Sequence, residues 1–128
     1  MRNHEVTSEQ QLLNEQGLIK EPGWARRPVW KYDRNMIQAP GFRIKEWDYY
    51  LVLNEDYAGA FTLSDDGYIG LQSVSLINLK EKWEHTETIL TPLPMGKMKL
   101  PASSETGVTV YRDKRLKMEF KAEPLSDG

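Results

Sequence analysis

The sequence contains no cysteine, only two histidines, and no apolar run as long as a membrane-spanning helix. The absence of cysteine excludes disulfides, thiolate nucleophiles and cysteine-ligated zinc. The same absence favours a reducing compartment such as the cytoplasm. The polar start, which lacks the apolar stretch of a secretory signal, and the lack of a long apolar run predict a soluble protein with no membrane span. At 128 residues the chain has the length of a single domain, which needs no covalent staple to fold.

Excess charge of either sign is also lacking, because 17 basic and 19 acidic side chains give a net charge of -2. Without a positive field, no nucleic-acid partner is expected. The sequence has no glycine-rich phosphate loop and no dinucleotide-binding motif. His85 and Glu87 share one side of a predicted strand, but they are only two ligands where a zinc site needs at least three. Neither a cofactor nor a metal is therefore predicted.

The first region, residues 1–41, predicts little regular structure. Ser8 suits a helix N-cap and Gly17 a helix stop, which predicts a short helix of two turns at most. From Glu21 to Gly41, three prolines break any periodicity. Tryptophans interspersed with these prolines predict an extended arm that packs onto an apolar surface.

The second region, residues 42–128, predicts a series of strands. Phe42–Leu53 is rich in aromatic and β-branched residues and lacks glycine and proline. Tyr57–Leu63 and Tyr68–Leu79 flank Ser64–Gly67, whose glycine suits the positive φ of a hairpin turn. The remaining predicted strands are Trp83–Leu90, Val108–Tyr111 and Leu116–Phe120. Their short connections favour antiparallel neighbours, so the predicted fold class is mainly β, an antiparallel meander or a partial lipocalin-like barrel.

The last residues, Ser126, Asp127 and Gly128, are typical of a turn that leads into another strand. We therefore expect residues 42–128 to be the first half of a larger domain. A sheet interrupted at this point exposes an edge, and unpaired edges recruit other chains. The expected partners at that edge are a second copy of the chain or a missing C-terminal half.

The densest group of potentially functional side chains is Lys45–Tyr50, where alternate residues of a strand point to opposite sides. One side carries Glu46, Asp48 and Tyr50. The other side carries Lys45, Trp47 and Tyr49. If the first side is buried, its surroundings raise the pKa of a carboxyl group and create an acid/base pair. The candidate catalytic residues are Glu46, Asp48 and Asp66. The candidate ligand-binding residues are Trp24, Lys45, Trp47, Tyr49 and Tyr68.

Three segments, Gly23–Pro28, Arg43–Tyr50 and Ser64–Gly70, together resemble the opening half of the domain-of-unknown-function family 2804. The resemblance extends from Leu12 to the C-terminus and implies a longer chain, but it implies no activity. By analogy of fold, a protein of this type is similar to the two-barrel lipocalin-like proteins that include carotenoid hydratases. That similarity implies a cavity for an apolar, lipid-like or isoprenoid-like ligand.

Three hypotheses follow. The first is a β-barrel-like domain that binds an apolar small molecule or lipid. The second is an enzyme of the hydratase or isomerase type that uses the strand carboxylates as acid and base. The third is a structural half of a larger assembly.

Overall fold

The structure is a computed structural model that describes residues 3–124, and strands dominate it. The strands are β1 (Gln10–Gln11), β2 (Trp30–Lys31), β3 (Glu46–Leu53), β4 (Tyr57–Asp65), β5 (Ile69–Asn78), β6 (Trp83–Pro92), β7 (Gly107–Arg112) and β8 (Lys117–Ala122). Two short 3₁₀ turns occupy Arg34–Met36 and Gly41–Arg43. The prediction of a mainly β, antiparallel fold is confirmed.

The chain divides into two compact units. Within the described residues, the first unit comprises 3–39, 101–108 and 120–124. The second unit comprises residues 40–100 and 109–119. Over the range 3–124, no helix has the length and apolar character needed to cross a membrane.

The predicted helix between Ser8 and Gly17 is wrong. β1 lies in this segment and pairs in parallel with β2. The chain then turns at Asn14, whose Oδ1 accepts hydrogen bonds from the backbone N–H groups of Gln16 and Leu18, at 3.0 Å each. Gly17 adopts a φ of +72° in this turn. A helix of two turns forms few hydrogen bonds, and these do not offset the free-energy cost of forming its first turn. The segment therefore pairs with β2 instead of forming a helix.

The second unit is built on a four-stranded antiparallel sheet with the order β3-β4-β5-β6. Each strand pairs with the next in the chain, which is the predicted meander. Over the described residues the sheet is open, with β3 and β6 at its edges, and it does not close into a barrel. β7 and β8 form a separate two-stranded sheet across the predicted turn at Asp113, whose backbone N–H donates to the carbonyl of Leu116 at 2.9 Å.

Asp65, the last residue of β4, fastens the β4–β5 turn to the loop that follows β6. Its side chain is only 1% exposed. Its Oδ1 accepts the backbone N–H of Gly67 at 3.1 Å, and its Oδ2 accepts that of Gly96 at 2.7 Å. The backbone N–H of Met95 also donates to the Gly67 carbonyl at 3.1 Å. The turn and the loop are therefore held together by backbone groups that meet at one buried carboxyl group.

Gly67 is required at its place in this turn. Its φ of +78° lies in the left-handed region that favours glycine. A Cβ atom at this position would approach the backbone carbonyl group of Phe42 to 2.5 Å. The glycine therefore serves both the turn and the close approach of the segment that precedes β3.

Candidate functional site

β3 has two sides with different surroundings. Glu46, Asp48 and Tyr50 are half-buried, whereas Trp47 is 66% exposed and Tyr49 is 59% exposed. The alternation expected of a strand in this segment is confirmed. We call the two surfaces of the four-stranded sheet the Asp48 face and the Trp47 face.

A triangle of oxygen atoms occupies the Asp48 face. Asp48 Oδ2 accepts a hydrogen bond from the Thr109 hydroxyl at 3.2 Å and one from the Tyr50 hydroxyl at 3.3 Å. The two hydroxyl oxygens lie 2.9 Å apart. Thr109 belongs to β7 and is only 1% exposed, so β7 covers this part of the sheet.

The surroundings of the triangle change the pKa of the Tyr50 hydroxyl. Burial raises the pKa of the Tyr50 hydroxyl, the contact with the Thr109 hydroxyl opposes this rise, and the neighbouring Asp48 carboxyl group adds to it. A neutral phenol therefore persists to higher pH than it would in water. Tyr50 can act here as a hydrogen-bond donor or as an acid, in the presence of a carboxyl group on the same face.

A second series of hydrogen-bonded polar side chains crosses the Asp48 face closer to β6. The Thr91 hydroxyl donates to Gln72 Oε1 at 2.9 Å and lies 3.1 Å from the Tyr111 hydroxyl. The Tyr111 hydroxyl contacts Asp113 Oδ2 at 3.0 Å. Asp113 in turn accepts a hydrogen bond from Arg115 Nε at 2.9 Å, and this pairing holds the pKa of the Asp113 carboxyl group well below its usual range. The polar groups of this face are thus largely used by β7 and its turn.

The Trp47 face is different in character. Directly paired residues of antiparallel strands lie on the same face, so the strand register assigns its members. β3 contributes the bulky apolar side chains Trp47, Tyr49, Leu51 and Leu53. β4 contributes only short side chains, namely Ala58, Ala60, Thr62 and Ser64. β5 contributes Leu71, Ser73, Ser75 and Ile77, and the β6 residues paired with them are Leu90, Thr88, Thr86 and Glu84.

By side-chain length, the Trp47 face has a bulky apolar row on β3 beside a row of small residues, and we call this arrangement the trough. Its wall is the row of β3, and its floor is the short row of β4, where Ala58 and Ala60 are only 6% and 9% exposed, with Ser73 and Ser75 of β5 beside it. Leu71 stands at one end and Ile77 at the other, because they pair with Ser64 and Ala58. Hydroxyl groups line the floor between these ends, and the hydroxyl oxygens of Ser75 and Thr86 lie 2.7 Å apart.

The other residues predicted to belong to the site lie in different places. Lys45 is exposed and precedes β3. Asp66 is half-buried and accepts a hydrogen bond from the Ser64 hydroxyl at 2.9 Å. Tyr68 is exposed in the β4–β5 turn. Trp24 belongs to the first unit, where the guanidinium of Arg26 lies 5.2 Å from the centre of its ring.

Both histidines form pairs with glutamate. His85 Nε2 lies 2.8 Å from Glu87 Oε1, and both side chains are well exposed. His4 pairs with Glu21, whose pKa is lowered by hydrogen bonds from Gln10 and His4. Within residues 3–124, no group of three or more histidine, aspartate or glutamate side chains has the arrangement of a metal site.

Sequence reasoning missed two residues that shape this region. Thr109 lies 61 positions after Asp48, and nothing in the local pattern connects the two. Asp65 is not among the predicted candidates, which include its neighbour Asp66. Strand alternation provided a signal, because Asp65 lies two residues after the buried Leu63 and so points to the same face.

Comparison with protein-family models matches residues 3–127 to DUF2804, described as a domain of unknown function. The match covers nearly the whole chain and supports the resemblance carried by the three sequence segments. No match was found among curated proteins, and none among solved structures.

Proposed function

We propose that this chain, which belongs to the domain-of-unknown-function family DUF2804, binds an amphiphile with a long apolar chain on the Trp47 face of its sheet. The observation that carries the proposal is the exposure of one continuous apolar row along β3, beside a strand of short side chains. Soluble proteins rarely expose contiguous apolar surface of this kind unless it binds something.

The dimensions of the trough suit a linear molecule. From Trp47 to Leu53 the wall spans six residue steps, which at the rise of a strand is roughly 20 Å. A long acyl or isoprenoid chain extends over a comparable distance. Such a chain would contact the exposed apolar wall that β3 forms.

The hydroxyl groups in the floor of the trough favour a ligand with a polar end. Thr62 and Ser73 form a directly paired row of hydroxyl groups next to Tyr49. Hydroxyl groups both donate and accept hydrogen bonds, so they can bind a carboxyl, hydroxyl or ester group without a charged partner. A purely aliphatic molecule would leave these groups without a partner in the ligand, which favours an amphiphile.

The test is a titration with a fluorescent fatty acid, using two neighbouring variants. Leu51 (49% exposed) lies on the Trp47 face, and Val52 (66% exposed) lies on the opposite face of the same strand. Leu51→Gln removes apolar contact with the ligand and should weaken binding about tenfold, whereas Val52→Gln should leave it nearly unchanged. Ala60→Leu should also weaken binding, because it fills the floor.

Equal affinities of Leu51→Gln and Val52→Gln would contradict the proposal, since binding would then be indifferent to the face. Unfolding in urea, followed for each variant, separates loss of binding from loss of structure.

We propose as a second candidate an acid/base reaction on the Asp48 face, because Asp48, Tyr50 and Thr109 form a hydrogen-bonded triangle there. The reaction would add water to an unsaturated apolar substrate or remove it, with Asp48 or Glu46 as base and Tyr50 as acid. Incubation with unsaturated and hydroxylated fatty acids, followed by mass spectrometry, tests this candidate. Turnover abolished by Asp48→Asn but retained by Leu51→Gln would support it, and absence of any product would count against it.

A further inference from the structure

One end of the four-stranded sheet is built from three chain segments that contact one another. We call it the Tyr68 end, and it comprises residues 42–46, 65–68 and 93–99 of the second unit. The backbone N–H of Leu93 donates to the carbonyl of Tyr68 at 3.0 Å. The backbone N–H of Met95 donates to the carbonyl of Gly67 at 3.1 Å, and the backbone of Phe42 packs closely against Gly67. Residues of the three segments are therefore neighbours.

Four large apolar side chains at the Tyr68 end are at least 43% exposed, and they are Phe42, Tyr68, Leu93 and Met95. Single exposed apolar residues are normal on a protein surface, but a group of neighbours indicates a site of interaction. None of the four is a member of the Trp47 face. The ligand proposed for that face therefore does not explain their exposure.

The charged side chains of the Tyr68 end are divided by sign. Its basic side chains are all exposed, and they are Arg43, Lys45, Lys97 and Lys99. Its acidic side chains are all half-buried or buried, and they are Glu46, Asp65 and Asp66. Among residues 3–124, no acidic side chain lies within ion-pair distance of the four basic groups. The exposed charge of this end is therefore positive.

The opposite end of the sheet does not have this excess of positive charge. The β3–β4 and β5–β6 turns lie there, and their exposed charged residues are Glu55, Asp56, Lys80, Glu81 and Lys82. That end also exposes apolar side chains, including Trp83, so the sign of the charge is what distinguishes the two ends. A negatively charged surface therefore attracts the Tyr68 end in preference to the opposite end.

The loop 93–99 has a fixed and unusual backbone. Leu93, Met95 and Lys99 have φ values of +48°, +45° and +50°, which are unfavourable for residues with a side chain. Such conformations persist only where the surroundings determine them, and they are frequent at binding sites. Here the buried Asp65 carboxyl group accepts the Gly96 N–H at 2.7 Å and anchors the loop. Because the loop is already ordered, binding through it has a smaller entropic cost.

An anionic lipid bilayer matches this combination of side chains. Its headgroups attract lysine and arginine, and apolar and aromatic side chains enter the boundary between headgroups and acyl chains. In two segments an exposed apolar residue lies within two positions of a basic one, as in Phe42–Arg43 and Met95–Lys97. Insertion of the apolar side chain would therefore bring the basic group to the depth of the headgroups. We propose that the Tyr68 end binds reversibly to the surface of an anionic membrane.

Cosedimentation of the full chain with lipid vesicles tests the proposal. Vesicles of equal parts phosphatidylcholine and phosphatidylglycerol should sediment the protein at low salt. Vesicles of phosphatidylcholine alone should sediment much less of it. Added sodium chloride should release the protein from the anionic vesicles, because salt screens the attraction between exposed charges.

Two matched double variants identify the end of the sheet that binds. Lys97→Gln combined with Lys99→Gln removes two basic groups from the Tyr68 end and should lower the vesicle partition coefficient about 30-fold. Lys80→Gln combined with Lys82→Gln makes the same change in net charge at the opposite end. This control should change the partition coefficient by less than about threefold.

Two apolar variants separate the membrane surface from the trough. Leu93→Gln should lower the partition coefficient about tenfold, because it removes apolar surface that would be buried in the bilayer. Leu51→Gln, which should weaken fatty-acid binding in the trough, should leave vesicle binding unchanged. A failure of the membrane proposal can therefore be told from a failure of the ligand proposal. Urea unfolding checks that each variant is folded.

Three outcomes would overturn the proposal. The first is that the protein does not sediment with anionic vesicles, or sediments equally with anionic and neutral ones. The second is that the variant at Lys80 and Lys82 loses as much binding as the variant at Lys97 and Lys99. The third is that the protein binds polyglutamate but not anionic vesicles, which would indicate an acidic protein as the partner.

Discussion

Removal of the Asp65 carboxyl group should destabilise the second unit more than any other single change to an acidic residue in the β4–β5 turn. Asp65→Ala leaves the backbone N–H groups of Gly67 and Gly96 without their acceptor. A hydrogen bond to a charged group contributes about 1.5–3 kcal/mol. Because the Gly96 amide is only partly buried, we expect a total loss of about 3–5 kcal/mol. A domain of this size has a free energy of unfolding of about 5–15 kcal/mol, so the variant should fold but with little margin.

Two further variants calibrate this expectation. Asp65→Asn keeps one acceptor oxygen and should lose about half as much stability as Asp65→Ala. Asp66→Ala removes the neighbouring carboxyl group, which accepts a hydrogen bond from the Ser64 hydroxyl, and should cost about 1 kcal/mol. This neighbour is the matched control, since both changes shorten an aspartate in the same turn.

Urea unfolding followed by tryptophan fluorescence measures all three variants. Hydrogen exchange adds a local readout, because the Gly67 and Gly96 amides should lose protection in Asp65→Ala. The reasoning is refuted if Asp66→Ala is destabilised as strongly as Asp65→Ala, or if Asp65→Ala loses less than about 1 kcal/mol.

Three other predictions concern the turns and the sheet edge. Gly67→Ala should lower the free energy of unfolding in urea by about 2–4 kcal/mol, because position 67 has a positive φ and an added Cβ would overlap the Phe42 backbone. Gly41→Ala is the control, since position 41 has open space around it. A loss for Gly67→Ala no larger than that for Gly41→Ala would contradict this prediction. The lowered pKa of Asp113 stabilises the fold above the ordinary aspartate pKa of about 3.9, and this contribution is lost as the pH falls towards the folded pKa. The urea midpoint should therefore fall more steeply below about pH 4 in the parent chain than in Asp113→Asn, and parallel curves would exclude the effect. The outer edge of β3 should promote self-association, which sedimentation at increasing protein concentration detects. Tyr49→Lys should reduce this self-association. A parent chain that sediments as a monomer at every concentration would refute the prediction.

The strands of the second unit were predictable because their signals are local. Aromatic and β-branched residues without glycine or proline predicted β3, and Gly67 predicted the hairpin between β4 and β5. Alternation also predicted which residues of β3 share a side. Each of these inferences needs only residues that are neighbours in the chain.

Other features could not be predicted because they depend on distant partners. The segment after Ser8 has helix signals, but the acceptor for the Gln10 N–H is the carbonyl of Val29, 19 residues later. The contact of Thr109 with Asp48 requires β7 to lie on the sheet, and a single sequence does not reveal that placement. The composition of the Trp47 face also could not be predicted, because it depends on the strand register, which places the short side chains of β4 beside the bulky row of β3.

The triangle formed by Asp48, Tyr50 and Thr109 has a consequence that follows from counting its hydrogen atoms. Three oxygen–oxygen contacts join these groups, but the two hydroxyls supply only two protons when the carboxyl group is ionised. One of the three contacts is therefore always without a proton, and several arrangements of the two protons compete. Within the triangle, two protons are therefore shared among three oxygen–oxygen contacts, and no single hydroxyl is fixed as the donor by the count alone.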